Sequence, residues 1–294
     1  MGHIPVLLNE VMEYLRPVKG ETIVDATLGG GGHSEEILKK IAPGGRLVAI
    51  DRDERAVEMA RVRFKDLGKE VIIRSANFAD IEKVLTEEGI EMIDGAIFDL
   101  GFSSYQLDDP RRGFSFMKDG PLDMRYDTNG KLSARDLVNG LSEKELQDLI
   151  REYGEERYAY RVARSICEAR KRKKIETTLE LASIIEGAIG KMYRGQRLSS
   201  PVRTFQAIRI ATNRELEAIE GGVRAAMRKL KSGGRISVIS FHSLEDRMIK
   251  NIFRENKMRG EFEVLTKKPV CPDMREIENN PRSRSAKLRT CKKI

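Results

Sequence analysis

The chain has 294 residues, of which 40% are hydrophobic and 34% charged, and it carries a formal net charge of +8 at pH 7. This length allows one large or two ordinary domains with a buried core, and no apolar run approaches the roughly 20 residues of a membrane span. Three scattered cysteines without a Cys-x-x-Cys pair predict reduced thiols, a cytoplasmic setting and no structural zinc, and with only three histidines we expect no metal site.

The first predicted strand, Thr22–Thr27, leads into a glycine-rich segment whose sequence from residue 28 is LGGGGHS. Glycine adopts positive φ at little cost and lets a ligand approach the backbone closely. We predict that Ser34 caps a helix through Ile41, whose first N–H groups favour a carboxylate or phosphate. This arrangement is typical of nucleotide sites at the carboxyl edge of an open α/β sheet, although a flexible surface turn is the alternative.

The second predicted strand, Leu47–Ile50, ends at Asp51. A carboxylate there, roughly 20 residues past the glycines, is placed to accept hydrogen bonds from ribose hydroxyls. The dinucleotide fingerprint fits badly, because Ser34 stands where its third glycine is expected. A ligand with a ribose but no pyrophosphate fits better, and S-adenosylmethionine is the obvious candidate.

Strand and helix patterns alternate through the first hundred residues. Asp53 is predicted to cap the helix that follows the second strand. The further strands are expected at Val71–Arg74 and Ile93–Phe98, the first followed by Phe78 and the second by Asp99. Repeated βαβ units predict the α/β class, with a parallel sheet covered by helices on both faces.

The alternation stops after residue 108, and residues 109–201 are predicted to form a helical insertion. Ser142 with Glu145 and Thr177 with Glu180 are capping-box patterns. Residues 1–108 and 202–294 are then expected to form the core domain. The core elements expected after the insertion are a long helix closed by Gly233-Gly234, a strand Arg235–Phe241, a helix Leu244–Glu255, a strand Phe262–Thr266 and a tail Ser285–Leu288 at the sheet edge.

Basic residues concentrate outside the first hundred positions, which favours a polyanionic partner such as RNA or DNA. A solvated surface is the usual explanation of any one such cluster. The clusters lie in residues 170–174, around Arg194, Arg197 and Arg203, and in residues 282–293.

Nearly the whole chain resembles the bacterial 16S rRNA (cytosine-N4)-methyltransferase family, the MraW or RsmH type. The resemblance rests on separate segments that agree in order and spacing. They are HIPVL from His3, DATLGGGGHS from Asp25, FDLGFSSYQLD from Phe98, RGFSF from Arg112, GPLDMR from Gly120, SFHSLEDR from Ser240 and NPRSRSAKLR from Asn280.

Membership of that family would imply a Rossmann-like class I methyltransferase core with an inserted helical domain, S-adenosylmethionine as cofactor, and a decoding-centre cytidine of 16S rRNA, free or in the small ribosomal subunit, as target. The implied cofactor contacts are Gly31, Gly32, His33, Asp51, Phe78, Asp99 and Gln106. For His33, a role in holding the cofactor is favoured over general-base catalysis. Phe78 is expected to cover the adenine, with core packing as the alternative.

Asp99 is the candidate acceptor of a proton from cytosine N4. Many amino-methyltransferases have Asn or Asp, Pro-Pro and an aromatic residue at this place, whereas here Asp99 is followed by Leu-Gly-Phe. Asp99 as a cofactor ligand alone is therefore the alternative.

A base must leave its stack to reach the cofactor, and aromatic side chains after the fourth strand could stack on it. The candidates are Phe102, Tyr105, Phe114 and Phe116, of which two are equally well explained by core packing. Arg111 and Arg112 are candidate phosphate contacts. His242 is either near the RNA or a packing residue. A nicotinamide-dependent oxidoreductase and a non-catalytic RNA-binding factor with the same fold are the competing functional hypotheses.

Overall fold

A computed structural model describes residues 4–101, 107, 109–128, 130, 132–194 and 199–294, with the side chains of residues 68 and 69 excepted. The chain divides into two compact units. The first comprises Met1–Phe102 with Leu216–Ile294, and the second comprises Ser103–Glu215.

Seven strands and twelve α-helices are found in the described residues. The strands are β1 (Thr22–Asp25), β2 (Arg46–Asp51), β3 (Val71–Ser75), β4 (Ile93–Asp99), β5 (Leu230–Ser240), β6 (Phe262–Val264) and β7 (Lys287–Lys293). The helices are α1 (Leu8–Leu15), α2 (Gly32–Ile41), α3 (Glu54–Arg63), α4 (Ile81–Glu87), α5 (Ala134–Gly140), α6 (Glu143–Gly154), α7 (Ala159–Arg170), α8 (Thr178–Ile189), α9 (Pro201–Asn213), α10 (Glu215–Lys229), α11 (Ser243–Met258) and α12 (Met274–Asn279).

The first unit is built on one sheet with the strand order β3-β2-β1-β4-β5-β7-β6. The strands β1 to β5 pair in parallel, whereas β7 is antiparallel to both β5 and β6. Neighbouring residues Ile23 and Val24 lie in different apolar clusters, because successive side chains of a strand point to opposite faces. Helices therefore cover both faces, and the predicted α/β class is confirmed.

Two predictions about the end of this sheet were wrong. The long helix α10 ends at Lys229, and Gly233 and Gly234 lie inside β5. A Cβ on Gly234 would lie 2.9 Å from the carbonyl oxygen of Asp94, and Gly233 has φ +83°, so these glycines permit the register shift between β4 and β5. The tail strand β7 lies between β5 and β6 instead of at the edge, which agrees with its buried residues 288–291.

The second unit is helical in its described part, apart from one isolated bridge between Pro121 and Thr177. Both capping boxes are confirmed, since Ser142 accepts from the amide of Glu145 and Thr177 from that of Glu180. Its apolar core has members from α5 to α9. Phe205 and Ile208 of α9 belong to that core, so this unit extends past residue 201, where the predicted insertion ended.

Among the described residues, no helix combines the length and the hydropathy that crossing a membrane requires.

Candidate functional site

The carboxyl ends of β1, β2 and β4 meet where the strand order reverses, since β1 pairs with β2 on one side and β4 on the other. Ligands of open α/β sheets bind at such a point. Backbone hydrogen bonds continue past the strand ends: the Leu28 amide donates to the Ile50 carbonyl and the Ala26 amide to the Ile97 carbonyl, both at 2.9 Å. The segment after β1 is therefore fixed against its two neighbours.

The glycine segment turns tightly because two of its residues have positive φ, +50° at Gly29 and +75° at Gly31. Gly31 is the N-cap of α2, and a Cβ there would lie 3.1 Å from the Phe64 ring. A Cβ on Gly32 would lie 3.0 Å from Pro5. The loop is thus a rigid backbone surface at a helix N-terminus, and the flexible-turn alternative does not describe it.

Asp51 lies at the end of β2 and holds two backbone amides. Its Oδ2 accepts from the Gly29 amide at 2.8 Å and its Oδ1 from the Asp53 amide at 2.9 Å. Burial raises the pKa of Asp51 to about 6, against the opposing effect of these two donors. The carboxylate thus lies directly beside the glycine turn, as the spacing predicts. Asp53 also caps α3 as predicted, accepting from the Arg55 amide at 3.1 Å.

Asp25, the last residue of β1, is buried beside the glycine segment and contacts the start of α2. It was not among the predicted site residues. It is 1% exposed, and its Oδ2 accepts from the Ser34 hydroxyl at 2.6 Å. Burial raises the pKa of Asp25, and the Ser34 hydroxyl opposes this. The prediction that Ser34 caps α2 was wrong, because the helix begins two residues earlier and the Ser34 side chain is used for this buried contact. Nothing in the local sequence distinguishes the two uses of a serine.

Asp99 and His33 approach each other across the ends of β4 and α2. The Asp99 amide donates to the Thr27 hydroxyl at 2.6 Å, which fixes the backbone of Asp99 beside the glycine turn. Nδ1 of His33 lies 3.8 Å from Oδ2 of Asp99, and Nε2 lies 3.0 Å from the Val6 carbonyl. His33 is only 6% exposed, so its ring is part of the packed wall of the site.

Phe78 follows β3 in a short 3₁₀ turn, Phe78–Asp80, and is partly buried against the core. Its ring meets Phe98 edge to face, with 5.7 Å between centroids. A Cβ on Gly222 would lie 2.8 Å from Phe78. Core packing thus accounts for at least part of the surface of the Phe78 side chain. Gln106, Phe102 and Tyr105 lie outside the described residues.

In the second unit, the predicted RNA contacts differ in exposure and in their partners. Arg111 is exposed and pairs with Asp109, at 2.9 Å from its Nε and 2.8 Å from its Nη2. Arg112 donates to the carbonyls of residues 125 and 126 and is 6.0 Å from the Phe114 ring centre. Phe114 is 8% exposed and stacks on Tyr126 with centroids 5.4 Å apart.

The second unit's core therefore accounts for two of the aromatic candidates. Phe114 belongs to that core and Phe116 packs against it, with its ring 5.6 Å from the Phe205 ring. Phe114 is thus buried by its packing on Tyr126, which agrees with the core-packing alternative, whereas Phe116 is only half-buried.

His242 is the N-cap of α11 and lies two residues after the end of β5. Its Nδ1 accepts from the Glu245 amide at 3.4 Å, while Oε2 of Glu245 accepts from the amides of Phe241 at 2.7 Å and His242 at 3.2 Å. This reciprocal box fixes the start of α11. The structural role of the His242 side chain is thus to cap α11, which is one form of the packing alternative.

Comparison with known proteins gives one consistent result. A model of the MraW methylase family matches residues 1–294. The small-subunit ribosomal RNA methyltransferase H of Geobacter sp. (strain M21) is 50% identical over 307 residues, covering 99% of this chain and 98% of the relative. The proteins of the same name from Trichlorobacter lovleyi and Persephonella marina are each 47% identical and cover 99% of this chain, at 98% and 99% of their own lengths.

Proposed function

The chain belongs to the MraW methylase family and is a methyltransferase, and from that premise we propose that it transfers the methyl group of S-adenosylmethionine to N4 of a decoding-centre cytidine in 16S rRNA. The observation that carries the cofactor assignment is the contact between Asp51 and the glycine turn. The rRNA substrate is supported by relatives named as small-subunit ribosomal RNA methyltransferases, which are 47–50% identical over almost the whole chain.

The residues present fit this cofactor. Gly31 and Gly32 let the turn pack closely on Phe64 and Pro5, where a Cβ would be crowded, and the amides at the start of α2 suit the methionine carboxylate. The Asp51 carboxylate, already aimed at the Gly29 amide, can accept further hydrogen bonds from the two ribose hydroxyls. Phe78, at the end of the next strand, is assigned to the adenine, and the resemblance adds Gln106.

When bound, S-adenosylmethionine supplies an electrophilic methyl group on a positively charged sulfonium. The residues of the chain need mainly to orient the acceptor nitrogen, because alignment accounts for much of the rate of such a transfer. The lone pair of cytosine N4 is delocalised into the ring. A carboxylate oxygen that accepts an N4–H hydrogen bond pulls the nitrogen toward tetrahedral geometry, and we assign this role to Asp99.

The position of Asp99 supports that assignment. Its backbone is held by Thr27, and the buried His33 ring lies 3.8 Å from its Oδ2, so the carboxylate is confined at the end of β4. His33 is assigned to orientation of Asp99 and of the cofactor loop, because its Nε2 already contacts the Val6 carbonyl. We assign RNA recognition to the helical unit, including its Arg111.

The test is to incubate the protein with radiolabelled S-adenosylmethionine and small ribosomal subunits that lack the modification, then map the labelled nucleotide. Label at N4 of one decoding-centre cytidine is the expected result. Binding of the subunit without any transfer would favour a non-catalytic RNA-binding factor, and label on another atom or nucleotide would contradict the assigned acceptor. Free 16S rRNA assayed in parallel shows which form is the substrate.

A further inference from the structure

One face of α11 carries a row of positive charges. Lys250, Arg254 and Lys257 are spaced four and three residues apart and are all exposed. At 100° per residue they fall within about 60° of one another around the helix, and at 1.5 Å per residue the row is about 10 Å long. We call these three residues the α11 basic face.

The acidic residues of α11 do not neutralise this face, because each is engaged elsewhere. Glu245 is 1% exposed and belongs to the cap of the helix. Asp246 accepts from Nε of Arg289 at 2.6 Å, and Glu255 from Nη2 of Arg224 at 2.8 Å. Within the described residues, the side chains of Lys250, Arg254 and Lys257 have no ion-pair partner.

Some exposed cations elsewhere in the same unit are paired with carboxylates. Lys39 lies 3.2 Å from Glu35 and 2.5 Å from Glu36, and Arg228 lies 2.6 Å from Glu82. Like charges at helical spacing cost a few tenths of a kcal/mol per pair. A bound anion would offset the repulsion within the α11 basic face, which no carboxylate of the described chain does.

We propose that the α11 basic face binds the phosphate backbone of the RNA substrate, an inference that rests on the proposed function. The row of three cations, about 10 Å long, can meet successive phosphates of one strand. Such contacts position the nucleic acid without reading its sequence. The first residue of α11, Ser243, follows β5, in which Ile239 pairs with Asp99, so Lys250 lies about 10 Å along the helix from the carboxyl edge of the sheet and RNA held on the row can extend to that edge.

The three cations are not consecutive in the sequence, because two or three uncharged or acidic residues separate each from the next. They form a row only when the segment is a helix. The row does not belong to any of the compact basic clusters in residues 170–174, 194–203 or 282–293. The proposal therefore names a surface that the clustering of charge along the chain does not indicate.

The test compares two triple variants of the full-length protein. Lys250→Ala/Arg254→Ala/Lys257→Ala removes the α11 basic face, and Lys19→Ala/Arg61→Ala/Lys65→Ala removes three other exposed cations that have no ion-pair partner in the described part of this unit. The dissociation constant for transcribed 16S rRNA is measured between about 50 and 200 mM salt. Melting temperature and S-adenosylmethionine affinity are measured for both variants.

The α11 variant is expected to bind this RNA about 10–100-fold more weakly, and its salt dependence should fall by about 2 in the slope of log K against log salt, at roughly 0.7 per lost phosphate contact. The control should change binding by less than about 3-fold, and cofactor affinity should be unchanged in both. Equal effects of the two variants would overturn the proposal. Weaker binding to assembled subunits with unchanged binding to bare rRNA would also overturn it, and would indicate an acidic protein as the partner.

Failure of the proposed function would look different. A wild-type protein that neither binds nor methylates rRNA contradicts that function as a whole. A wild-type protein that methylates rRNA, together with an α11 variant that binds RNA as the wild type does, contradicts only the surface assigned here.

Discussion

The amide of Gly29 donates a hydrogen bond to Oδ2 of Asp51 across 2.8 Å, which joins the loop after β1 to the end of β2. Both residues are fixed by the register of these adjacent strands, in which Asp25 lies opposite Ala49. The contact makes the glycine turn and the carboxylate that we assign to the ribose one unit of structure. A change in Asp51 is therefore expected to affect both ligand binding and the loop.

Asp51→Ala should weaken S-adenosylmethionine binding on the order of 10–100-fold, because hydrogen bonds to a charged group contribute about 1.5–3 kcal/mol. Isothermal titration calorimetry measures the change. Asp51→Asn, which keeps one acceptor oxygen at nearly the same place, should lose less. Unchanged affinity in the alanine variant would refute the assigned site.

Cofactor binding should depend on pH through Asp51, whose pKa burial raises to about 6 from 3.8. The ionised carboxylate is the form that accepts from ribose hydroxyls, so affinity should fall by up to tenfold per pH unit below about 6. The unliganded fold has the opposite dependence. The native state binds the Asp51 proton more tightly than the unfolded state, so this contribution to stability is complete below pH 4 and is lost as pH rises through 6.

The pH dependence of cofactor affinity and the pH dependence of stability are both attributed to Asp51, so a variant of this residue is a control for both. In Asp51→Asn the affinity measured from pH 5 to 8 should be nearly flat in this window, and the matching part of the stability curve should disappear. A variant that keeps the wild-type profile would assign the titration to another buried carboxyl such as Asp25, whose pKa burial also raises.

Asp99→Asn should lower turnover more than it lowers cofactor affinity, because the amide oxygen is a weaker acceptor for the N4 proton while the packing is kept. Single-turnover methylation of unmodified subunits and equilibrium cofactor binding separate the two effects. A loss confined to cofactor affinity would show that Asp99 is only a ligand contact.

Gly31→Ala and Gly32→Ala should both impair the loop, for different reasons. Gly31 has φ +75°, which costs an alanine about 1–2 kcal/mol whatever the space around it. Gly32 is limited by Pro5, 3.0 Å from its ideal Cβ. The double variant Gly32→Ala/Pro5→Gly should therefore regain cofactor affinity, because it also removes the Pro5 Cβ, 3.1 Å from the added Cβ, whereas changing a neighbour does not relieve the backbone strain of Gly31→Ala. A cofactor affinity of Gly32→Ala/Pro5→Gly no higher than that of Gly32→Ala would contradict this geometry.

His242→Ala should reduce the free energy of unfolding by about 0.5–2 kcal/mol, the usual cost of losing an N-cap. His242→Asn keeps a capping side chain and should recover most of that stability. If the asparagine variant is stable but binds 16S rRNA poorly, His242 also contacts RNA. If its RNA affinity equals that of the wild type, the residue acts only through α11.

Local patterns in the sequence were sufficient for several parts of this protein. The capping pairs of Ser142 and Thr177, the cap at Asp53 and the acid at the end of β2 depend on residues within one turn or one strand, so their spacing predicts them. The same holds for the alternation of buried strands and amphipathic helices, from which the parallel part of the sheet follows.

Contacts between residues far apart in the chain were decided by the tertiary structure. Serine is a common helix cap, but the hydroxyl of Ser34 donates to Asp25 instead. The pair Gly233-Gly234 is typical of a helix end, but it lies in a strand and packs against Asp94. Phe114 resembles a base-stacking residue but packs on Tyr126. A short polar or glycine-containing segment is compatible with several local conformations, and the free energy of burying it against distant partners selects among them.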